Sequence, residues 1–151
     1  MNREDILHSV KCFLEVLDPQ RRFDDRERAL RAALDGLALA YHSAEAPFDG
    51  AQHPDAPLAE VSALRAGIAV LFPDLGLYNE VLNIAAPVGE LEPGVGDVID
   101  DLTDIAMDMH RFLYNWDNTG EEDALWHFRF SFETHWGRHL RGLQLYLHER
   151  A

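Results

Sequence analysis

The chain has one cysteine, Cys12, which excludes an internal disulfide. It has no long apolar run: none approaches the ~18 residues a membrane-spanning helix needs. Its opening, Met-Asn-Arg-Glu-Asp-Ile, has neither the basic flank nor the unbroken apolar stretch of a secretory leader. These shortages make a cytoplasmic setting without membrane contact the expectation. Positive charge is also scarce, with 13 Lys and Arg against 27 Asp and Glu and a net charge of −14. Such a surface repels phosphate backbones and argues against nucleic-acid binding. Nucleophile elbows, phosphate-binding loops and dinucleotide fingerprints are all missing, which removes the most recognisable catalytic classes. Alternating strand patterns and internal repeats are missing as well.

What remains is a helical pattern. The length, 151 residues, suits a single domain over residues 1–151 that needs no staple to bury a core. Ile6, Val10, Phe13, Leu14 and Leu17 predict a helix over Arg3–Leu17, capped by Asn2 and stopped at Asp18-Pro19. Leu30, Leu34, Leu37 and Tyr41 predict a second over Asp25–Ser43, with Asp24 and Glu27 as a capping box. A third is expected over Leu58–Phe72, a short helix over Leu77–Ile84, a fourth from Asp97 or Val98 to Trp116, and a fifth over Glu121–His148. Ala46–Pro57 and Ala86–Gly96, rich in Pro and Gly, are read as two long loops. Each long helix has one apolar stripe that needs a partner helix. The expected fold is therefore an all-α bundle of four to five helices.

Chemistry concentrates in two stretches. Asp97-Val-Ile-Asp-Asp-Leu-Thr-Asp-Ile-Ala-Met-Asp108 sets a row of carboxylates beside the stripe of Val98, Leu102, Ile105, Met109, Phe112 and Trp116. At 100° per residue the row Asp97, Asp101, Asp104 and Asp108 lies about 90° from that stripe, in the groove of a neighbouring helix. The helix dipole accounts for acids in the first turn but not for Asp104 and Asp108. Arg111 is the only strong base in that helix, so a cationic partner is expected opposite.

The second stretch, Trp126-His-Phe-Arg-Phe-Ser-Phe-Glu-Thr-His-Trp-Gly-Arg-His-Leu140, supplies one. Its core line is Leu125, Phe128, Phe132, Trp136, Leu143 and Leu147. Arg129 and Glu133 flank that line on one side, His135 and His139 on the other, each pair spaced i,i+4. Arg129 is expected to be buried and to pair with Glu133 and with Asp101 or Asp104, under a cover of Trp126 and Trp136.

Three readings follow. The first is a structural polar network of Asp101, Asp104, Asp108, Arg129, Glu133 and His139 in a non-enzymatic protein that acts through a protein partner or as a homodimer. The second is a divalent-metal module, or a metal-dependent hydrolase, using Asp101, Asp104, Asp108, His135 and His139. No other cofactor is expected. The third is acid–base catalysis without metal. His42 could add a third imidazole to His135 and His139, as in DinB-like four-helix bundles. The remaining histidines, His53 and His127 among them, are read as surface or boundary residues, and Tyr78 as a packing aromatic.

Asp100-Asp-Leu-Thr-Asp-Ile105 and Phe130-Ser-Phe-Glu-Thr-His-Trp-Gly-Arg-His-Leu140 resemble a bacterial family filed as domain of unknown function 5063. The resemblance is clearest over Gly96–His148. It implies a compact helical bacterial domain whose motif residues are Asp101, Asp104, Asp108, Arg129, Glu133, His135, Trp136 and His139. Family members typically carry a larger residue at the position of Ala106. The resemblance brings no activity with it.

Overall fold

The computed structural model describes residues 1–150. Helices α1 (Arg3–Val16) and α2 (Arg26–Ser43) form one antiparallel pair. In α1, Asn2 accepts from the Asp5 amide and Asp5 accepts from the Asn2 amide, so a reciprocal capping box fixes the start. Asp25, not Asp24, caps α2, accepting from the Arg28 amide. Helix α3 (Val61–Leu71) packs on α4 (Val98–Asn118), which also touches α1 and the C-terminal helices. Asp97 caps α4 through the Ile99 amide. One hydrophobic cluster draws side chains from every helix, with Phe13, Phe112, Phe128 and Trp136 among its largest fully buried members. Among the described residues, no helix is long and apolar enough to cross a membrane.

Two expectations about local structure need correction. Residues 77–81 are not helical: Leu77–Val81 is strand β1, paired antiparallel with β2 (Pro93–Asp97) in a small hairpin. The second expected loop therefore contains a strand. Glycines hid it, because they weaken a strand signal and commonly mark close approach of another group. Here that group is Tyr78, whose ring lies so close to Gly96 that a Cβ there would stand 2.1 Å from it.

The last helix is also not continuous. It runs as α5 (Glu121–Ser131), a π-helical turn (Phe132–Trp136) and α6 (Gly137–Arg150). Phe128, Phe132, Trp136 and Leu140 follow one another at three successive spacings of four. In an ideal helix that series drifts roughly 120° around the axis. The wider turn absorbs the drift, so Phe128, Trp136 and Leu140 all reach the core. The Gly137 amide donates to the Phe132 carbonyl, and a Cβ on Gly137 would stand 2.4 Å from that oxygen. Trp136 Nε1 donates to Ser131 Oγ across the same turn at 2.9 Å.

Candidate functional site

Helix α4 presents Asp101, Asp104 and Asp108 to the groove it shares with the π turn and α6. His139 Nδ1 lies 2.6 Å from Asp101 Oδ1, and its Nε2 lies 3.3 Å from Asp104 Oδ2. One turn along, His135 Nδ1 lies 2.7 Å from Asp108 Oδ2, which leaves Nε2 as its unengaged nitrogen. The two anchoring carboxylates are nearly buried, Asp101 with 8% and Asp108 with 10% of the side chain exposed, whereas Asp104 is 38% exposed. The imidazole rings are 5.1 Å apart and nearly perpendicular. One potential ligand atom from each of Asp104, His135 and His139 lies within 4.8 Å of the other two.

The groove has a further member from outside the two helices. Tyr78 donates its hydroxyl to Asp101 Oδ2 at 2.5 Å, on the oxygen His139 does not use. Strand β1 carries Tyr78 there, Gly96 gives its ring room, and Tyr146 stacks on it at 5.0 Å. Gly142 completes the fit, since a Cβ at that position would meet the hydroxyl at 2.8 Å. Tyr78 was legible as a packing residue or a binding aromatic but not as a partner of Asp101, because neither glycine declares its purpose until the hairpin is known. Arg138 fastens the hairpin to α6 by donating to the Val81 carbonyl at 2.9 Å.

Electrostatics follow the burial. Desolvation, and then the bond to Asp101, push the Tyr78 phenol well above its ordinary range, so it stays a donor. The Asp101 carboxylate raises the His139 imidazole, outweighing the opposing effect of burial. Burial raises Asp108, although His135 pulls the other way. A cavity of about 360 Å³ opens beside this end of the groove, with Asp108, Arg111, Phe112 and His135 on its walls.

The expected six-residue network is divided in two. Asp101, Asp104, Asp108 and His139 come together, joined by His135 of the expected metal set. Arg129 and Glu133 lie on the α2 flank, where Arg129 Nε is 3.2 Å from Glu133 Oε1 and Tyr41 donates to the same oxygen at 3.0 Å. Arg129 is not buried: 41% of its side chain is exposed, and its guanidinium lies 5.5 Å from the Tyr41 ring. It does not reach the aspartates because it lies on the α2 side of the helix, engaged by Glu133 and the Tyr41 ring. Trp126 does not cover the cluster either. It stacks on Phe130 at 5.0 Å and meets the edge of Phe48 at 4.8 Å. Trp136 is fully buried against Phe128 and Phe132. His42 packs against Tyr41 and is not among the converging ligand atoms. Asp97 and Asp100 are held instead by Arg65, at 3.1 and 2.6 Å.

A family model described as a domain of unknown function (DUF5063) matches residues 39–150. The chain belongs to this family. The match includes both strands of the hairpin and every residue of the α4–α6 groove, so the DUF5063 region is the part of the chain that holds the candidate site. A crystal structure of protein BF1032 from Bacteroides fragilis, a structural-genomics target, has a similar fold with a TM-score of 0.69 and 20% identity. The similarity covers 97% of this chain and 89% of that one. A comparison with curated proteins found no match.

Proposed function

We propose that this DUF5063 protein binds a divalent transition metal through His135, His139 and Asp104. The observation that carries this reading is the orientation of both imidazoles by carboxylates. Metal-bound histidines characteristically hand their second nitrogen to a carboxylate, which fixes the ring and raises its basicity. Here Asp101 takes Nδ1 of His139 and Asp108 takes Nδ1 of His135. Each ring then has Nε2 for a cation, and Asp104 adds an oxygen.

Two imidazoles and one carboxylate suit Zn²⁺, Fe²⁺ or Mn²⁺ and leave coordination positions open. Asp101 and Asp108 orient the rings, and Tyr78 fixes Asp101. A cation bound here would polarise water or a substrate oxygen in the open positions, which is the chemistry of metal-assisted hydrolysis. The adjoining cavity is of small-molecule size, and Arg111 gives its wall one positive charge. A cytoplasmic setting belongs to this reading, with the lone Cys12 as its support.

Calorimetric titration with Zn²⁺ and Mn²⁺ tests it. His135→Ala and His139→Ala should each abolish binding at this groove, and Asp101→Asn should weaken it about 10–100-fold. Binding at the groove that is indifferent to both histidines would overturn the assignment.

Contact with another protein, including a second copy, is a separate reading with its own support. The hairpin exposes Leu77, Ile84, Val88, Leu91 and Val95, each more than 60% accessible. Apolar side chains grouped in this way often mark an interaction surface. Light scattering across a concentration series, with Leu77→Asp and Val95→Asp as controls, tests self-association. A monomer at every concentration would remove the homodimer.

A further inference from the structure

The connection between α2 and α3, residues 44–60, has no regular secondary structure. It exceeds the ~12–15 residues beyond which such connections are uncommon unless they serve a function. It nevertheless follows the surface of α5. Phe48 packs on Trp126 at 4.8 Å. Just beyond, Asp49 turns the backbone by accepting from the Ala51 amide at 2.9 Å, which brings His53 Nε2 to 2.7 Å from Asp49 Oδ2.

Asp123, in the first turn of α5, meets this pair. Its side chain is 7% exposed. Oδ2 accepts from Thr119 Oγ1 at 2.6 Å, and Oδ1 lies 3.4 Å from Nε2 of His127. One potential ligand atom from each of Asp49, His53 and Asp123 lies within 4.8 Å of the others. The same spacing, an aspartate followed four residues later by a histidine, thus occurs once in the connection and once on α5. Two carboxylates from distant parts of the chain converge on the imidazole of His53.

We propose that Asp49, His53 and Asp123 form a second divalent-cation site, with His127 available as a fourth ligand, and that the cation clips the α2–α3 connection to α5. Carboxylate oxygens and imidazole nitrogens are both donors that Zn²⁺ takes. A divalent charge also balances two carboxylates, whereas a protonated His53 balances only one. The clip is independent of the groove between α4 and α6: the two sites share no residue.

The test uses the full chain, freed of metal and then equilibrated with Zn²⁺. The wild type should bind two equivalents. His53→Ala, and separately Asp49→Ala, should remove one of them. His139→Ala should remove the other. The connection should resist limited proteolysis when Zn²⁺ is present and lose that resistance in His53→Ala but not in His139→Ala. One equivalent lost only in His139→Ala would overturn the clip and leave the groove intact. One equivalent lost only in His53→Ala would do the reverse. Protection of the connection that tracks acidic pH and ignores Zn²⁺ would also overturn the clip, because a proton on His53 would then suffice.

Discussion

Tyr78 shows how much one side chain depends on positions that look featureless in sequence. Its ring lies on Gly96, and its hydroxyl passes over Gly142 to reach Asp101. Gly142→Ala should therefore displace the hydroxyl from Asp101 and destabilise the fold by about 1–3 kcal/mol, the usual effect of overpacking. Urea denaturation of the variant checks this. The phenol gives a second test. Its pKa in the folded state is raised above the unfolded value near 10. The protonated phenol therefore stabilises the fold fully below pH 10, and that contribution is lost as pH rises through the folded value. An ultraviolet titration should show a late-ionising tyrosine that Tyr78→Phe removes. Tyr41 is raised as well, by its bond to Glu133, so the comparison with the variant is essential. An unchanged late step in Tyr78→Phe would contradict the assignment. Arg129 makes the opposite point. The sequence suggested a buried arginine whose loss costs ~3 kcal/mol, but an exposed pair contributes under about 1 kcal/mol. Arg129→Ala should fall in that smaller range by denaturation.

At the scale of elements, the long helices were legible because burial repeats with helical period along each of them. Val98, Leu102, Ile105, Met109, Phe112 and Trp116 were read as one stripe; the first five are buried in α4 and Trp116 is half-buried. The Asp101–Asp104–Asp108 row was placed beside it on the same arithmetic. The hairpin was illegible because β2, Pro-Gly-Val-Gly-Asp, has almost no side chains with which to announce a strand. The π turn left a trace, the triple spacing of four with Gly137 inside it, but a sequence read at a constant 100° per residue passes over it. That turn sets how His135, within it, stands relative to His139, one turn beyond. Gly137→Ala would place a Cβ 2.4 Å from the Phe132 carbonyl. It should destabilise the protein by about 1–3 kcal/mol and weaken metal binding in the groove, although position 137 touches no proposed ligand. Equal metal affinity in Gly137→Ala and wild type would show that the turn does not set the histidine geometry.

Across the whole molecule, the acidic and aromatic stretches meet as their patterns suggested, but they meet through histidines. The arginine–glutamate pair belongs to the opposite flank, against α2. The excess of acid acquires a local meaning: α4 supplies carboxylates to a groove in which they pair with imidazoles, a side chain that binds protons or a metal. The central claim is that this groove holds a cation. It is tested most directly by thermal unfolding of His53→Ala, a background that removes the proposed clip, with and without Zn²⁺ or Mn²⁺. A cation at 100 times its dissociation constant should stabilise the folded state by about 2.7 kcal/mol, raising the melting temperature. Adding His139→Ala to that background should abolish the rise. A melting temperature that neither cation moves in His53→Ala would contradict the account.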